Sequence, residues 1–310
     1  MPVVLISGGT GLIGTKLTHH LIESNYDVII LSRDKNKPSG NPKLTYSFWD
    51  RKKQLIDTEA IKKADHIIHL AGAGVMDKKW TSDYKKEIID SRTGSSELLV
   101  KTLKENVHHV KTFVCASAIG WYGADDHPPL RKDGFIETDA ADKGFLAETC
   151  LLWETSVDPF AEMGIRLIKL RTGIVLCNDG GAFKEFKKPL RFGFAGILGS
   201  GKQMVSWIHI DDLCRIYLEA IENKNLGGSY NAVAPLPVTN KKLVIAMADK
   251  FRNKFYIPIH VPTFLLKLFM GERSVEILKS ATVSNKKIKS TGFTFLYPSI
   301  ESAIEELAGK

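Results

Sequence analysis

The chain has 310 residues, of which 44% are hydrophobic and 25% are charged, a balance typical of an ordinary globular protein with a sizeable buried core. Its formal net charge is +8, but the lysines are scattered as short pairs such as Lys52-Lys53, which argues against a nucleic-acid partner. No apolar stretch approaches the roughly 18 residues that a membrane span needs, so the expected location is cytoplasmic. The four cysteines lie far apart without a C-x-x-C pair, which predicts neither a zinc site nor a disulfide framework.

Apolar runs alternate with amphipathic runs along the first half of the chain. Strands are predicted near 2–7, 27–32, 44–48, 65–71, 110–117 and 165–171, with helices near 12–24, 81–105 and 142–163. This alternation predicts a Rossmann-type, doubly wound parallel sheet whose two faces are covered by helices. The expected fold class is therefore α/β.

The regular alternation ends after Arg171. Glycines are frequent between 180 and 201, a strand-like run follows at 205–210, and helices are predicted near 240–251, 262–281 and 298–308. We interpret this part of the chain as a smaller C-terminal α/β lobe. The expected division is a nucleotide-binding domain over 1–176, joined by 203–233, and a small substrate-side lobe over 177–202 and 234–310.

The segment between the first strand and the first helix is rich in glycine. Its sequence satisfies both G-x-x-G-x-x-G, through Gly8, Gly11 and Gly14, and G-x-G-x-x-G, which begins at Gly9. Glycines let the backbone approach a dinucleotide closely, and the helix N-terminus presents unpaired N–H groups to a pyrophosphate. A glycine-rich turn without a ligand is the alternative. The predicted cofactor-binding residues here are Gly8, Thr10, Gly11, Leu12, Ile13 and Gly14.

The end of the second strand predicts which coenzyme fits. A dinucleotide fold usually presents an acidic residue there to the ribose 2′-hydroxyl, but here the strand ends with Ser32-Arg33. A guanidinium matches a 2′-phosphate, which a carboxylate would repel, so we expect NADP(H) rather than NAD(H). Asp34 follows directly and offers the ribose contact as an alternative, and a plain surface arginine is another.

Two further strand ends join the predicted site. Trp49-Asp50 ends the third strand, where an acidic residue often meets the adenine edge, although a merely structural aromatic is the alternative. The fourth strand ends with Leu70-Ala71-Gly72, and small residues there allow the backbone to pass along the ribose and pyrophosphate. His69, directly before them, is expected to pack in the sheet rather than to bind a ligand.

These pieces together resemble the short-chain dehydrogenase/reductase superfamily in its extended, epimerase/dehydratase-like form. Several stretches are more closely similar to an atypical "epimerase family protein" subgroup, family 39U, and the segment from Asn285 to Pro298 resembles the terminal domain of that subgroup. The stretches that carry this resemblance are Leu70–Gly72, Asp90–Arg92, Ala116–Gly123, Phe145–Glu148, Arg171–Leu176 and Trp207–Asp212.

The resemblance implies which residues contact NADP. It implies that Glu87 and Arg92 join Ser32, Arg33, Leu70 and Ala71, and that the backbone of Ile174-Val175 lies near the nicotinamide. The residues themselves support part of this, because Glu87 and Arg92 lie on the helix after the fourth strand, at a spacing of five that shares a face only loosely. Solvated charges on a helix surface are the alternative.

The proton-transfer residues of the superfamily are missing. Its enzymes use a Tyr-x-x-x-Lys pair, in which the ammonium lowers the pKa of the phenol, but here that slot holds Phe145–Cys150. The usual serine is displaced as well, because Ala118 stands four residues before Tyr122 and Ser117 stands five before it. The substitute catalytic candidates are Ser117, Tyr122 and Glu148, each with a structural role as the alternative.

Two other motifs are interpreted as structural. His209 with Asp211 and Asp212 suggests a metal or acid–base cluster, but capping of the next helix by an aspartate and packing of the histidine explain it better. The segment Gly196–Lys202 fits most of a P-loop, yet Gln203 replaces the Ser or Thr that holds Mg²⁺, and a strand follows instead of a helix. We therefore predict no metal site and no nucleoside triphosphate site.

The sequence as a whole predicts an NADP(H)-binding oxidoreductase or epimerase that transfers hydride to or from an unknown small molecule. The alternative is a non-catalytic NADP(H) sensor or binding module that kept the cofactor site and lost the Tyr-x-x-x-Lys pair. We expect no nucleic-acid partner and no membrane association. The sequence decides neither the substrate and reaction direction nor whether the chain is a monomer or a homodimer.

Overall fold

The computed structural model describes residues 1–34, 37–127, 133–253 and 255–309. Its strands in chain order are β1 (Val3–Ser7), β2 (Asp27–Ser32), β3 (Leu44–Asp50), β4 (Leu55–Ile56), β5 (His66–His69), β6 (Thr112–Ala118), β7 (Arg166–Thr172), β8 (Ile174–Leu176), β9 (Phe194–Leu198), β10 (Met204–Val205), β11 (Trp207–His209), β12 (Gly228–Ala232), β13 (Val238–Thr239) and β14 (Ile257–Val261).

The helices in chain order are α1 (Leu12–Glu23), α2 (Thr58–Lys63), α3 (Ser82–Glu105), α4 (Phe145–Ser156), α5 (Pro159–Glu162), α6 (Gly181–Leu190), α7 (Ile210–Glu222), α8 (Asn240–Arg252), α9 (Thr263–Met270), α10 (Ser274–Leu278), α11 (Lys286–Ser290) and α12 (Ile300–Gly309). Short 3₁₀ turns lie at Ile119–Trp121 and Gly271–Arg273.

Eight strands form the central sheet, in the order β12-β7-β6-β5-β1-β2-β3-β4. Neighbouring strands from β12 to β3 are parallel, and β4 pairs antiparallel with β3. The chain runs outward from β1 through β2 to β3, then crosses back to β5 and runs outward on the other side. The predicted doubly wound fold is confirmed, and its switch point lies between β1 and β5, where open α/β sheets bind their ligands.

Each face of this sheet has its own apolar core, because successive side chains of a strand point to opposite faces. Val4 and Ile6 of β1 pack against α1 and α7 on one face. Leu5 packs on the other face with residues of α2, α3, α4 and α5. The strands are therefore apolar on both faces, which is why they read as continuous hydrophobic runs in the sequence.

A third core lies in the C-terminal part of the chain. There β9 pairs parallel with β14 and β10 pairs antiparallel with β13, while β8 pairs parallel with β11. Apolar residues of α6, α8 and α12 meet in this core, among them Phe183, Met247 and Ile304. Leu176 and Trp207, from the paired strands β8 and β11, belong to it as well. The domain boundaries stay a prediction.

Two predicted helices are interrupted in the structure. The run near 142–163 forms α4 and α5 as separate helices, because Pro159 begins a new helix and cannot continue the previous one. The run near 262–281 is interrupted at Gly271, whose φ of +58° is left-handed and ends α9. Within the described ranges, no helix is long and apolar enough to cross a membrane.

Candidate functional site at the switch point of the sheet

The loop between β1 and α1 is wedged against the carboxyl end of β5. Gly8 has a φ of +76°, and a Cβ placed on it would lie 2.8 Å from both the Ala71 nitrogen and the Leu70 carbonyl carbon. A Cβ on Gly14 would lie 2.4 Å from the Gly8 oxygen, so α1 packs equally closely on the loop. The N–H of Leu70 donates to the Ser7 oxygen at 2.9 Å. The fold therefore brings these predicted residues of the glycine loop and of the β5 end into contact.

The residues that lead from this loop into α1 are exposed. Gly11 is the N-terminal cap and offers no side-chain acceptor, and the first turn holds no acidic residue. Thr10 and Gly11 are exposed. The positive end of a twelve-residue helix thus follows an exposed loop, and no acidic residue of the helix's own first turn neutralises it, which is an arrangement that suits phosphates.

The loop after β8 borders the glycine loop. A Cβ on Gly180 would lie 3.3 Å from Cδ1 of Leu12, and one on Gly181 would lie 3.9 Å from the carbonyl oxygen of Val175. Leu12 and Ile13 are half-buried and pack against the core under α1. Val175 therefore lies near the predicted pyrophosphate loop, on a strand outside the main sheet.

Arg33 follows the carboxyl end of β2, the strand next to β1, and its side chain is exposed. The N–H of Asp34 donates to Oγ of Ser32 at 3.1 Å, which bends the chain directly after the strand. A cation at this place lies one strand away from the glycine loop. This position fits the predicted contact with a ribose 2′-phosphate, which stays a prediction.

The side chains of Trp49 and Asp50 have structural partners. Trp49 is 8% exposed and packs in the core beneath α3, which is the structural alternative that the sequence left open. Oδ1 of Asp50 accepts hydrogen bonds from the N–H groups of Lys52 at 2.9 Å and Lys53 at 3.2 Å, so it closes the turn after β3. Their contact with adenine stays a prediction.

The two charged residues of α3 that were predicted to contact NADP, Glu87 and Arg92, have different protein partners. Glu87 accepts a hydrogen bond from Nη2 of Arg51 at 2.9 Å. Arg92 donates through Nη1 to the Ala73 oxygen at 3.1 Å, and its guanidinium lies 4.9 Å from the centre of the Trp153 ring. A Cβ on Gly72 would lie 3.0 Å from Cζ of Arg92, so the guanidinium packs directly against that loop. In this arrangement Arg92 holds the β5–α3 loop, and burial lowers its pKa.

His69 joins β5 to β1 and α3 from inside the sheet. Its Nδ1 lies 2.5 Å from Oγ of Ser7, and its Nε2 lies 3.2 Å from Oγ of both Ser95 and Ser96. The imidazole is fully buried, and this burial lowers its pKa to about 3, so it is neutral at physiological pH. The packing role expected for His69 matches this geometry, whereas its serine partners were not predicted.

A buried ion pair lies beneath the loop that follows β6. Nε and Nη2 of Arg171 donate to the two carboxylate oxygens of Glu154, at 2.8 and 3.0 Å. The side chains are 3% and 4% exposed. Oγ of Ser117 donates to the same carboxylate at 2.7 Å. A carboxylate that is removed from water is stabilised only when protein groups replace its hydrogen bonds to water. Ser117 supplies one of these hydrogen bonds to Glu154.

The hydroxyl of Tyr122 belongs to the same hydrogen-bond network. It donates to Oδ1 of Asn231 at 2.7 Å and accepts from Nη1 of Arg171 at 3.0 Å. The residue is fully buried, and burial raises its pKa to about 12. Such a phenol keeps its proton near neutral pH. The surroundings of Ser117 and Tyr122 thus favour the structural alternative for both, and their catalytic role stays a prediction without support from the geometry.

The cluster around His209 connects α7 with α12. His209, Asp211 and Glu306 offer donor atoms within 4.8 Å of one another. Nδ1 of His209 accepts from the Asp211 N–H at 3.2 Å, so the histidine caps α7, and its Nε2 lies 2.9 Å from Oε2 of Glu306. The expectation that an aspartate caps α7 is wrong. Asp212 instead accepts from the N–H groups of Leu296 and Tyr297, at 2.8 and 2.9 Å, because it lies fully buried beside that segment.

The sequence is similar to known proteins over its full length. Residues 4–143 match the NAD dependent epimerase/dehydratase family, and residues 261–307 match a domain of unknown function (DUF1731). An epimerase family protein of Staphylococcus haemolyticus is 34% identical over an alignment of 310 positions, which covers 99% of this chain and 99% of the relative. The chain belongs to the NAD dependent epimerase/dehydratase family.

Solved structures agree with this membership. The human epimerase family protein SDR39U1 (isoform 2), crystallised with NADPH, has a TM-score of 0.84 and 27% identity, and the match covers 99% of both chains. The nucleoside-diphosphate sugar epimerase of Corynebacterium glutamicum has a TM-score of 0.76 and 30% identity, over 100% of this chain and 59% of that one.

In this member of the epimerase family, the slot expected to hold the tyrosine and lysine lies at the start of α4. Phe145 and Leu146 are half-buried there, and Glu148 is exposed in the first turn of the helix. A Cβ on Gly120 would lie 3.2 Å from Cβ of Leu146, so the slot packs on the loop after β6. An aromatic and an aliphatic side chain therefore begin this slot, in which the sequence has neither tyrosine nor lysine. The catalytic role of Glu148 stays a prediction.

Proposed function

We propose that this chain binds NADP(H) at the switch point of its sheet and catalyses hydride transfer between the nicotinamide and a carbon of a small molecule. The observation that carries the proposal is the left-handed turn at Gly8, which has no room for a Cβ and leads into the N-terminus of α1, where no side chain accepts a capping hydrogen bond. The residues present fit a pyrophosphate there, since the backbone can approach it and N–H groups face it. The human relative crystallised with NADPH supports the choice of coenzyme.

Each part of the site has a distinct task in this proposal. The glycine loop binds the pyrophosphate, and Arg33 binds the 2′-phosphate. Arg92 orients the β5–α3 loop by holding its backbone, and the segment around Val175 lies toward the nicotinamide. When bound, the coenzyme supplies the hydride. We favour an oxidoreductase over an epimerase, because Ser117 and Tyr122 are committed to the network of Arg171 and Glu154 and no tyrosine–lysine pair is available to move a sugar hydroxyl proton.

The preference for NADP(H) is tested at Arg33. Charge-assisted hydrogen bonds are worth about 1.5–3 kcal/mol, so Arg33→Gln should weaken NADPH binding by about 10- to 100-fold and leave NADH binding nearly unchanged. Calorimetric titration measures both coenzymes. Arg191→Gln is the matched control, because Arg191 is likewise exposed but follows α6 in the C-terminal part of the chain. Tighter binding of NADH than of NADPH by the unaltered protein would contradict the assignment.

The second candidate function is a non-catalytic NADP(H) sensor. The observation in its favour is the same buried network, which uses both hydroxyls next to the slot for structure. A screen of carbonyl compounds and sugar nucleotides for NADPH oxidation separates the two functions. Turnover of any compound identifies an enzyme, whereas tight coenzyme binding without turnover across the screen identifies the sensor.

A further inference from the structure

The loop between β5 and α3, residues 70–81, is held through its backbone carbonyl groups. Four consecutive carbonyl oxygens of this loop each accept a hydrogen bond from a side chain. They belong to Ala73, Gly74, Val75 and Met76, and the respective donors are Arg92 at 3.1 Å, Tyr84 at 2.6 Å, Trp80 at 2.7 Å and Arg273 at 2.7 Å. The first three donors lie on α3 or within the loop itself. The conformation of the loop thus depends on more than its own sequence.

The fourth donor comes from the C-terminal part of the chain. Arg273 belongs to the 3₁₀ turn that follows α9, and it lies 197 residues from Met76 in the sequence. Its Nη1 donates to the Met76 oxygen, and its Nε donates at 3.3 Å to the oxygen of Met270, the last residue of α9. A guanidinium at the carboxyl end of a helix also interacts favourably with the helix dipole. Glu272 of the same turn forms an ion pair with Lys85 of α3. This turn therefore joins α9 to the loop and to the start of α3.

The same loop begins at the coenzyme site. Its first residues, Leu70 and Ala71, are the ones whose backbone lies directly against the left-handed turn at Gly8. Near the other end of the loop, the ring of Trp80 packs edge to face on that of Phe145, in the slot at the start of α4. The loop thus runs from the glycine loop to this slot, and a change in its conformation reaches the backbone that borders the coenzyme.

The order of the sheet indicates which half of the coenzyme lies beside this loop. A dinucleotide lies across the switch point of a doubly wound sheet. In the proposed function Arg33, at the end of β2, binds the 2′-phosphate, so the adenosine half lies on the β2 side of β1. β5 is the neighbour of β1 on the opposite side. The loop after β5 therefore lies beside the nicotinamide half, which supplies the hydride.

We propose that Arg273 is a positioning residue, which holds the β5–α3 loop in the conformation that binds the nicotinamide half of the coenzyme. This inference rests on the proposed function. It gives a task to the segment that matches a domain of unknown function, because residues 261–307 include this turn. The contact of Arg273 with the Met76 oxygen and the binding of NADP(H) then favour each other, since such coupling acts in both directions.

The first experiment separates the two halves of the coenzyme. Calorimetric titrations compare NADPH with adenosine 2′,5′-bisphosphate, which retains the 2′-phosphate and lacks the nicotinamide half. Coupling between separate sites typically changes affinity by about 5- to 150-fold, so Arg273→Gln should weaken NADPH binding by about fivefold or more. Binding of the bisphosphate should change by less than about twofold, which also shows that the variant is folded. Arg273→Lys should retain most of the NADPH affinity, because an ammonium can donate to the same carbonyl oxygen.

Arg252→Gln is the matched control for this experiment. Arg252 belongs to the same C-terminal part of the chain, where it ends α8, and its side chain is exposed. Its replacement removes the same charge and should leave the binding of both ligands unchanged.

The second experiment tests whether Arg273 acts through the loop. Tyr84→Phe removes the donor to the Gly74 oxygen and keeps the ring. If both residues act on the same loop, the effects of Arg273→Gln and Tyr84→Phe on NADPH affinity should not be additive. The effects of Arg273→Gln and Arg33→Gln should be additive, because Arg33 binds the other half of the coenzyme in the proposed function.

The possible failures are distinguishable. An unchanged NADPH affinity in Arg273→Gln would overturn the positioning role while the coenzyme proposal stands. Equal weakening of NADPH and of the bisphosphate, or strict additivity with Tyr84→Phe, would overturn the action of Arg273 through the loop. Absence of NADPH binding by the unaltered protein would overturn the proposed function, and the positioning role with it.

Discussion

Replacing Gly8 by alanine tests the turn on which the coenzyme site depends. The new Cβ would lie 2.8 Å from two backbone atoms of the β5 end, which cannot rotate away as a side chain can. Gly164 offers a matched control because its φ of +77° is nearly the same as the +76° of Gly8. Apart from its two chain neighbours, none of the described residues has an atom within 4 Å of its Cβ position. The two substitutions thus share the backbone strain and differ in the steric contact.

The expected magnitudes follow from these two terms. A non-glycine residue in the left-handed region costs about 1–2 kcal/mol, which is the expected loss of unfolding free energy for Gly164→Ala. Overpacking adds about 1–3 kcal/mol, so Gly8→Ala should lose about 2–5 kcal/mol. The smaller conformational entropy of the unfolded alanine chain opposes both losses equally and cancels in the comparison.

Urea unfolding followed by tryptophan fluorescence measures both stabilities, and calorimetric titration measures NADPH affinity. We expect Gly8→Ala to weaken NADPH binding by about tenfold or more, because the loop must move away from Ala71, and Gly164→Ala to leave it unchanged. Equal destabilisation by the two substitutions would refute the steric argument. Unchanged NADPH affinity in Gly8→Ala would show that the coenzyme does not bind at this turn.

Three further predictions concern the buried polar groups. Glu154→Leu and Arg171→Met should each lower the unfolding free energy by about 3–5 kcal/mol, because each leaves a buried charge unpaired. The double variant should lose less than the sum of the two single losses. Strict additivity in urea unfolding would contradict this expectation. Tyr122→Phe should cost about 1–3 kcal/mol by leaving Asn231 without its donor, with kcat unchanged, whereas a large loss of kcat at unchanged stability would establish Tyr122 as catalytic. Burial lowers the pKa of His69 from 6.5 to about 3. Between these two pH values, His69 is therefore protonated in the unfolded chain and neutral in the folded protein. The free energy of unfolding should therefore fall with decreasing pH by up to about 1.4 kcal/mol per pH unit. Urea unfolding at neutral pH and near pH 4.5 measures this slope, which His69→Gln should make smaller. An unchanged slope in the variant would contradict the burial argument.

The sequence alone determined the local features of the site. A parallel strand buried on both faces reads as an apolar run, and a helix that follows a glycine turn reads as a periodic one, so β1, the glycine loop and α1 were predictable. The position of Arg33 followed from the end of β2. These features depend on residues close together in the chain, which is why they needed no knowledge of the tertiary structure.

Only the tertiary structure decided what the polar candidates do. Tyr122 bonds to Asn231, which lies 109 residues away in the chain, and Ser117 bonds to Glu154, 37 residues away. No local pattern reports such partners, because the parallel sheet brings the ends of β6, β7 and β12 to one edge only after folding. The sequence around a hydroxyl near the cofactor slot is the same whether that hydroxyl faces a substrate or a buried ion pair. Its partner is determined by how strands that are distant in the chain pack together.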